Sequence, residues 1–373
     1  MNIYLVGGAV RDKLLGKPIR ERDWVVVGST PEEMTALGYK PVGKHFPVFL
    51  HPKTHEEYAL ARTERKVGRG YGGFTFYTGV DVTLEQDLKR RDLTINAIAE
   101  DNQQRLIDPY GGQADLQNKQ LRHVSDAFVE DPVRLLRICR MTATLADFTV
   151  APETLHLLKM MVENKEVDAL VAERIWKELE KSLVENAPWR FFITLSDCNA
   201  LSIILPDFQL QQGVAALRQA VAMSRDSQVR FAAAFAHITA EQLKTLCKKL
   251  RLPKQYTALS LLISRFYTQI KAISVEDSNT ILDLLYKLDS FRRPERFEQV
   301  LITCEAIDQS QQPDMVFMPA NIFRQALQAC QHVNINDIID ESGKDIGQRI
   351  YQRRLEVIQK TALGDDIKVK WDC

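Results

Sequence analysis

The first part of the chain alternates short apolar runs with glycines and turn residues. The apolar runs stand at residues 3–6, 24–27, 48–50 and 58–61, and their length is typical of β-strands. Polar or glycine-containing segments separate them, as helices and turns separate the strands of a mixed sheet. This pattern predicts a mixed α/β unit over roughly the first 140 residues.

From about Val133 the apolar period changes. In VRLLRICRMTATLA, ETLHLLKMMVE and AERIWKELEKSLV, apolar residues recur every three or four positions, which predicts amphipathic helices. The segment PDFQLQQG at 206–213 interrupts the helical pattern. We therefore predict an α/β head at 1–140, a helical neck at 141–205, and a helical body and tail at 206–373, with everything after the head all-helical.

Composition narrows the class of protein. The 373 residues are 45% hydrophobic and 26% charged, which are ordinary globular values, and no apolar run is long enough to cross a bilayer. The opening MNIYLVGG lacks the features of a secretory signal. The six cysteines are scattered without metal-like or disulfide-like spacing. We expect a soluble, cytoplasmic protein with reduced thiols and no membrane partner.

The overall charge does not indicate a nucleic-acid partner. Lysine and arginine number 49, equal to the 49 acidic residues, so a polyanionic partner would have to be bound by local basic patches. Such patches stand at 62–73, 89–91, 134–140 and 348–354. Each is also compatible with an ordinary solvated surface.

The stretch IYLVGGAVRDKLLG reads as a strand, a tight turn and a helix. Gly7 and Gly8 allow the backbone to approach a ligand closely, and the first N–H groups of the helix are free to bind phosphate. Arg11 follows in the first turn. The motif predicts an anion site, although a glycine pair at this position can also be no more than a turn.

The stretch ERDWVVVG places two acids at the start of an apolar strand. Glu21 and Asp23 are two residues apart and therefore project from the same face of a strand. Two such carboxylates are costly without a cation between them, and Mg²⁺ prefers hard oxygen ligands. A third acid is available at Glu57, because Tyr58 and Leu60 place Glu56 on the opposite face. Alternatively, these acids are surface strand ends.

Six motifs in order give the chain a family resemblance. LVGGAVRDKLLG, the acid-x-Asp strand, RRDLTINA, DPYGGQADL, EDPVRLLRICR and AERIWKE together resemble the class II tRNA nucleotidyltransferases of the polymerase-β-like superfamily. The segment GKHFPVFLHPKTHEEYALARTERK is similar to the bacterial CCA-adding enzymes in particular. The resemblance covers at least the first 200 residues.

The resemblance implies a fold, a reaction and partners. The fold would be an α/β nucleotidyltransferase head with a short mixed sheet, followed by an all-α neck, body and tail. The reaction would add C, C and A to the 3′ end of tRNA from CTP and ATP, with Mg²⁺ as cofactor. The partner would be the acceptor end of tRNA, and no feature of the sequence indicates an obligate protein partner.

The resemblance also implies roles for particular residues. Glu21, Asp23 and Glu57 would be catalytic, with Glu21 and Asp23 as metal ligands. The positions that resemble nucleotide-binding ones are Gly8, Arg11, Arg91, Asp131, Arg134, Arg137 and Arg140. We expect Asp92 to act as a helix N-cap for LTINAIA instead.

Base choice without a template requires protein side chains that read the incoming base. Cytosine and adenine share an amine donor beside a ring-nitrogen acceptor. Asp131 and Arg134 are three residues apart, which on one helical face would place an acceptor beside a donor. Arg137 and Arg140 continue the stripe. Ordinary charge pairing along the helix remains the alternative explanation.

Two departures from the family pattern leave alternatives open. Position 21 is Glu where the family usually has Asp, which keeps open an RNA-binding protein with a decayed active site. His237, in QVRFAAAFAH, is followed by Ile238, so we expect a short form without an HD phosphohydrolase and a helical, metal-free His237.

A poly(A) polymerase, or an enzyme that adds only CC or only A, is the nearest alternative activity. The stretch RTERKVGRGYGGFTFYTG favours full CCA addition, since it resembles the flexible loop that CC-only relatives lack. The helices after Leu201 would bind tRNA, with Arg349, Arg353 and Arg354 as candidate contacts.

Overall fold

The computed structural model describes residues 1–42, 48–66, 74–313, 315–333 and 346–361. The chain forms two compact units. The first contains Met1–Ser182 with Arg190–Ile203, and the second contains Leu183–Trp189 with the chain from Ile204 onward. The first unit carries a mixed sheet and the rest is mostly helical, which confirms the predicted fold class.

The central sheet of the first unit has, among the described residues, seven strands in the order β3-β4-β5-β2-β1-β8-β9. Strands β2 and β5 run parallel, and every other neighbouring pair is antiparallel. Strands β6 and β7 form a separate antiparallel pair. The strands are β1 (Asn2–Val6), β2 (Asp23–Val27), β3 (Lys40–Val42), β4 (Val48–Leu50), β5 (Glu57–Leu60), β6 (Thr63–Lys66), β7 (Phe74–Tyr77), β8 (Ala99–Glu100), β9 (Leu106–Ile107), β10 (Gln120–Leu121) and β11 (Thr149–Val150).

The apolar residues of β2 are buried on both sides of the sheet. Val25 belongs to one apolar cluster with Val6, whereas Val26 belongs to another with Met34 and Phe49. Successive side chains of a strand point to opposite faces, so a run of consecutive valines is what a strand covered on both sides requires. Apolar packing on both faces holds β2 in place, and Asp23 at its start lies next to this packed segment.

The helices of the first unit follow the predicted periodicity. They are α1 (Gly8–Leu14), α2 (Pro31–Ala36), α3 (Leu84–Lys89), α4 (Gly112–Gln117), α5 (Val133–Thr144), α6 (Pro152–Glu163), α7 (Ala172–Leu183), α8 (Trp189–Asp197) and α9 (Leu201–Ile204), with 3₁₀ turns η1 (Thr94–Asn96), η2 (Asp126–Glu130) and η3 (Glu166–Ala169).

The expectation that everything after the head is helical was wrong at one place. Strand β11 pairs in parallel with β10, through backbone bonds from Thr149 N to Lys119 O and from Ala151 N to Leu121 O. Two β-branched residues stand here just before Pro152 starts α6, and a residue before proline disfavours the helical conformation.

Two local predictions also need correction. Asp92 is not a helix N-cap, because Leu93 has that position and only the 3₁₀ turn η1 follows. Asp131 does not lie on the helical face of Arg134: its backbone is extended and helix α5 begins at Val133. Pro132 is the physical reason, since it disfavours helical geometry in the residue before it.

The second unit is helical throughout the residues described. Its helices are α10 (Leu210–Met223), α11 (Ser227–Ala234), α12 (Ala240–Lys249), α13 (Lys254–Lys271), α14 (Ser278–Lys287), α15 (Pro294–Gln311), α16 (Met318–Gln331) and α17 (Ile346–Lys360). One apolar cluster, which includes Phe266, Leu285, Phe297 and Phe323, joins these helices except α12. The apolar faces of the joined helices therefore build a shared core.

His237 lies just beyond the end of α11 and not inside a helix, contrary to the expectation. Its Nε2 accepts a hydrogen bond from Gln209 N at 2.8 Å, and its ring packs edge-on against Phe208. Burial lowers its pKa from the usual value. The contacts give this histidine a local structural role.

Some sequence features fall outside the described residues. These include residues 43–47 of the family-like segment, residues 67–73 of the loop at 62–79, and Cys373. The other five cysteines are free and buried. No described helix is both long and apolar enough to cross a membrane.

Candidate active site

A cavity of about 670 Å³ lies within the first unit. Nine of the ten residues predicted for the site line it, and Glu57 does not. The lining consists of Gly7, Gly8, Arg11, Glu21, Asp23, Arg62, Arg90, Arg91, Asp92, Asn96, Asp131, Val133, Arg134, Arg137, Arg140, Met141, Arg174, Lys177, Glu178 and Lys181. Residues from opposite ends of the predicted head are thus brought to one place.

The turn between β1 and α1 brings the backbone against an arginine. Gly7 has a φ of 72°, which favours glycine, and a Cβ there would stand 2.9 Å from Nη1 of Arg91. Arg91 is held by a contact from its Nη2 to Asp87 at 3.3 Å, and its buried Nε has no hydrogen-bond partner among the described residues. The glycine therefore makes room for a guanidinium at the cavity wall.

Two carboxylates face this cavity without a partner. Strand β2 begins at Asp23, and Glu21 lies just before it. Neither side chain has a hydrogen bond or ion pair among the described residues. Burial raises the pKa of Asp23, Arg91 opposes that shift, and the nearby charge of Glu21 raises the pKa further. A cation bound between the two would offset this repulsion.

Glu57 lies on the neighbouring strand. Its Cα is in register with that of Asp23, so the two residues leave the sheet on the same side. Glu56 faces the other way and accepts hydrogen bonds from Arg22 and from Trp24 Nε1. Within the part of the chain that the structure describes, no group of three or more Asp, Glu, His or Cys side chains is arranged to hold a metal ion.

A chain of hydrogen bonds runs along the cavity wall. Arg11 Nη1 donates to Asn96 Oδ1 at 2.8 Å, and Asn96 Nδ2 donates to Asp92 Oδ1 at 3.1 Å. Arg137 Nε donates to Asp92 Oδ2 at 2.7 Å. The chain links α1, η1 and α5. Asp92 and Asn96 are therefore site residues that the sequence analysis missed, and the signal was their place in the motif RRDLTINA.

The arginines of α5 are each held differently. Arg134 is buried and donates to two backbone carbonyls, Ala127 O at 3.2 Å and Arg90 O at 2.7 Å. Arg140 Nε donates to Glu178 Oε2 at 2.6 Å. Arg137 is bound by Asp92, whose negative charge raises the arginine's pKa. All three guanidinium groups are oriented before any ligand binds.

Helix α7 supplies one wall of the cavity, which the sequence analysis did not foresee. Arg174, Lys177, Glu178 and Lys181 follow an i, i+3, i+4, i+7 spacing and all line it. Arg174 Nη1 lies 3.3 Å from Asp131 Oδ1, whereas the two lysines are exposed and have no ion pair among the described residues. Their spacing marks a polar stripe, which is equally typical of a solvated helix face.

The cavity carries a net positive charge. Its lining contains ten cations (eight Arg and two Lys) and five acids (Glu21, Asp23, Asp92, Asp131 and Glu178), so 10 − 5 gives +5. The whole chain is neutral, and the charge is therefore concentrated here. A pocket of this kind attracts polyanions such as nucleoside triphosphates and nucleic-acid ends.

Two family models match the chain. Residues 3–122 match the poly A polymerase head domain, and residues 147–211 match the probable RNA and SrmB-binding site of polymerase A. The first match contains the glycine turn, the two carboxylates and Asp92. The second contains the α7 wall of the cavity.

Relatives of similar length extend the likeness to the whole chain. A CCA-adding enzyme of Coxiella burnetii (strain RSA 331) is 49% identical over 364 residues, covering 96% of this chain and 95% of the relative. A CCA-adding enzyme of Pseudomonas putida is 45% identical, covering 98% of this chain and 100% of the relative. The crystal structure of the Bacillus stearothermophilus CCA-adding enzyme in complex with CTP has a TM-score of 0.63 at 23% identity, covering 96% of this chain and 88% of that one.

Proposed function

This chain belongs to the family of bacterial CCA-adding enzymes, and on that premise we propose that the arginine-rich cavity of its first unit is the catalytic site. The chain catalyses the template-independent addition of C, C and A to the 3′ end of tRNA, using CTP and ATP. The observation that supports this site most directly is the pair of unpartnered carboxylates, Glu21 and Asp23, in a cavity otherwise rich in arginine.

The two carboxylates fit a divalent cation. The family generally uses divalent metal ions, and we propose Mg²⁺ held by Glu21 and Asp23, with Glu57 on the adjacent strand as a further catalytic acid. The fit rests on the donor chemistry: both are unpaired carboxylates, and the charge of Glu21 raises the pKa of Asp23. A bound ion of this kind stabilises the charge on the attacking and leaving oxygens.

The remaining residues would bind and orient the triphosphate. Arg91, for which Gly7 makes room, and Arg11, which Asn96 holds, present cationic groups to the cavity. Charge-assisted contacts with phosphate oxygens are the strong ones, and fixed guanidinium groups lose little freedom on binding. Positioning and charge stabilisation supply most of the catalysis in phosphoryl and nucleotidyl transfer.

Selection of C and A over U and G is assigned to Asp131 and Arg134. Asp131 Oδ1 accepts from Val133 N and Arg174, which orients the carboxylate as an acceptor. Arg134 is oriented as a donor by the two carbonyl groups that hold it. Uracil and guanine would place a donor opposite Arg134 and an acceptor opposite Asp131. Each polar group left without a hydrogen bond in this way costs about 1–3 kcal/mol.

The division of labour along the chain is part of the proposal. We assign catalysis to a head at 1–140, nucleotide binding to a neck at 141–205, and tRNA binding to a body and tail at 206–373. The match of residues 147–211 to an RNA-binding model supports an RNA contact that begins in the neck.

One assay tests the activity and the site together. A tRNA that ends at its discriminator base is incubated with CTP alone, ATP alone or both, and the products are resolved at single-nucleotide length. Two additions are expected with CTP, a third only when ATP is present, and none with UTP or GTP. Repeated A addition would indicate a poly(A) polymerase, and binding without incorporation would indicate a decayed enzyme. Asp131→Ala should reduce selectivity.

A further inference from the structure

A second cavity, of about 730 Å³, lies wholly within the second unit. It is formed where α13 and α15 begin, beside the start of α11. Its lining consists of Gln228, Lys254, Gln255, Ala258, Arg292, Arg293, Pro294, Glu295, Arg296 and Gln299. We call it the α13–α15 groove. It contains none of the residues assigned to catalysis.

The helices that open into this groove have no side-chain cap at their N-termini. Helix α13 has Pro253 as its N-cap and α15 has Arg293, and neither N-cap makes a side-chain hydrogen bond. Both helices are 18 residues long. The amino-terminal end of a helix carries a partial positive charge, which favours an anion nearby.

The groove also concentrates basic side chains. Lys254, Arg292, Arg293 and Arg296 face one lining acid, Glu295, so the lining charge is 4 − 1, or +3. Behind the lining, Asp289 is shared by all three arginines at 3.3–3.9 Å, and Asp226 is hydrogen-bonded to Gln299. Counting both, the charge is 4 − 3, or +1.

The arginines of the groove differ in the exposed fraction of their side chains. The side chains of Arg292 and Arg293 are 82% and 58% exposed, while that of Arg296 is only 23% exposed. Arg296 Nη2 donates to Leu288 O, and its buried Nε has no hydrogen-bond partner among the described residues. Arg296 therefore supports the end of α14, whereas Arg292 and Arg293 extend into solvent where a polyanion can reach them.

The basic residues of α17 are less suited to this task. Arg354 lies over the Phe291 ring at 3.7 Å and donates to Tyr286 Oη at 2.8 Å. Arg353 is paired with Glu356 at 2.9 Å. Arg354 is therefore already engaged, whereas the side chain of Arg353 is 58% exposed, as that of Arg293 is. The groove is the stronger candidate because it brings several basic side chains together beside two helix N-termini.

We infer that the α13–α15 groove binds the phosphate backbone of tRNA, with Arg292 and Arg293 as the principal contacts. The inference rests on the proposed function and gives its tRNA-binding part a location. The enzyme's substrate is a polyanion, the chain as a whole is neutral, and this groove combines exposed arginines with two helix N-termini that have no side-chain cap. Contacts of this kind hold RNA without reading its sequence.

The test is the salt dependence of tRNA binding by the full chain. The double variant Arg292→Ala/Arg293→Ala should weaken tRNA binding roughly tenfold at 100 mM salt. The slope of log K against log [salt] should become shallower by about 1.8, because two phosphate contacts are lost and each contributes about 0.9 to the slope on a duplex. The CTP dissociation constant and kcat at saturating tRNA should not change. Arg292→Lys/Arg293→Lys keeps the charge and should retain the slope.

The control removes two charges elsewhere on the same unit. Lys244→Ala/Lys248→Ala changes exposed lysines of α12 that lie outside the groove. An equal loss of affinity in this control would overturn the inference, as would an unchanged slope in the arginine variant. So would binding of the wild type to phosphatidylglycerol vesicles through these arginines while tRNA binding stays intact. Failure of the wild type to extend tRNA would instead count against the proposed function.

Discussion

Replacement of Asp92 by asparagine should reveal how much the cavity depends on one buried carboxylate. Asp92 is 6% exposed and accepts hydrogen bonds from Leu93 N at 2.8 Å, Asn96 Nδ2 at 3.1 Å and Arg137 Nε at 2.7 Å. Arg137 Nη2 lies 2.6 Å from its Oδ2. Asparagine keeps an oxygen for the first two donors. Its amide nitrogen then faces the Arg137 guanidinium, donor against donor.

The loss can be estimated from the contacts. Removing one partner of a buried ion pair costs about 3–5 kcal/mol. The Arg137 side chain is 41% exposed and remains partly hydrated, which places the cost near the lower limit, about 3 kcal/mol. The first unit has 182 + 14, or 196, residues. At about 2–4 °C per kcal/mol for a unit of this size, Tm should fall by about 6–12 °C.

The pH dependence of this difference has a defined sign. Burial would raise the pKa of Asp92, but the Arg137 charge and the hydrogen bonds from Asn96, Arg137 and Leu93 N hold it well below its ordinary value of 3.8. A lowered pKa contributes stability that is complete above the unfolded value and is lost as pH falls below it. The full difference between wild type and variant should therefore be seen at pH 7 and should shrink below about pH 4.

Thermal and urea unfolding at pH 7 measure the stability, and CTP titrations measure the role of Asp92 in positioning Arg137. The matched control is Asp147→Asn, which removes a salt bridge to Lys119 between side chains that are each more than half exposed and should cost under about 1 kcal/mol. KM for CTP should rise in Asp92→Asn only. If Asp92→Asn has the same Tm as Asp147→Asn and unchanged CTP kinetics, Asp92 does not orient Arg137 as proposed.

Four further changes have expected outcomes. Asp23→Asn should lower the rate of nucleotide incorporation by about 10³-fold or more. It should also raise Tm at pH 7, because burial raises the pKa of Asp23 in the folded state and the ionised carboxylate therefore destabilises the fold as pH rises past 3.8. Unfolding curves at pH 4 and pH 7 measure this difference. Gly7→Ala should destabilise the fold through a positive-φ strain of about 1–2 kcal/mol and through a clash of the new Cβ with Arg91. Gly16→Ala is the control, because Gly16 has a φ of 65° but no atom within 4 Å of an added Cβ, so it should show the backbone strain alone. Only Gly7→Ala should raise KM for CTP. Lys177→Ala/Lys181→Ala should make kcat/KM less salt-sensitive, measured at 50 and 200 mM salt. Glu178→Gln should raise KM for CTP in steady-state assays although it makes the cavity more positive.

The parts of the fold set by local sequence were predictable. The strands at 3–6, 24–27, 48–50 and 58–61 appear as β1, β2, β4 and β5 with ends shifted by at most one residue, because apolar runs between turns determine strands locally. The glycine turn was predictable for the same reason. The extended backbone of Asp131 could have been predicted too, since Pro132 follows it in the sequence.

What the sequence did not reveal depends on contacts between distant residues. The pairing of β10 with β11 joins segments almost thirty residues apart, and Asp92 meets Arg137 across 45 positions. No periodicity encodes either contact. The Lys177 and Lys181 stripe has a regular spacing, but that spacing is the same for a solvated helix face and for a cavity wall, so only the fold distinguishes them.

The expectation for Glu178→Gln separates two physical accounts of how the cavity binds a triphosphate. If net charge decided affinity, removing an acid from a lining of charge +5 would tighten binding. Of the lining acids, however, Glu178 and Asp131 orient cations of the cavity: Glu178 holds Arg140 at 2.6 Å, and Asp131 contacts Arg174 at 3.3 Å. A guanidinium released from its partner gains rotamer freedom, which binding must remove again at about 0.5–1.5 kcal/mol per side chain. Since one charge among fifteen changes the screened field little, the loss of orientation should outweigh the gain in charge. Glu178, unlike the unpaired Glu21 and Asp23, then favours anion binding because it fixes an arginine that performs it.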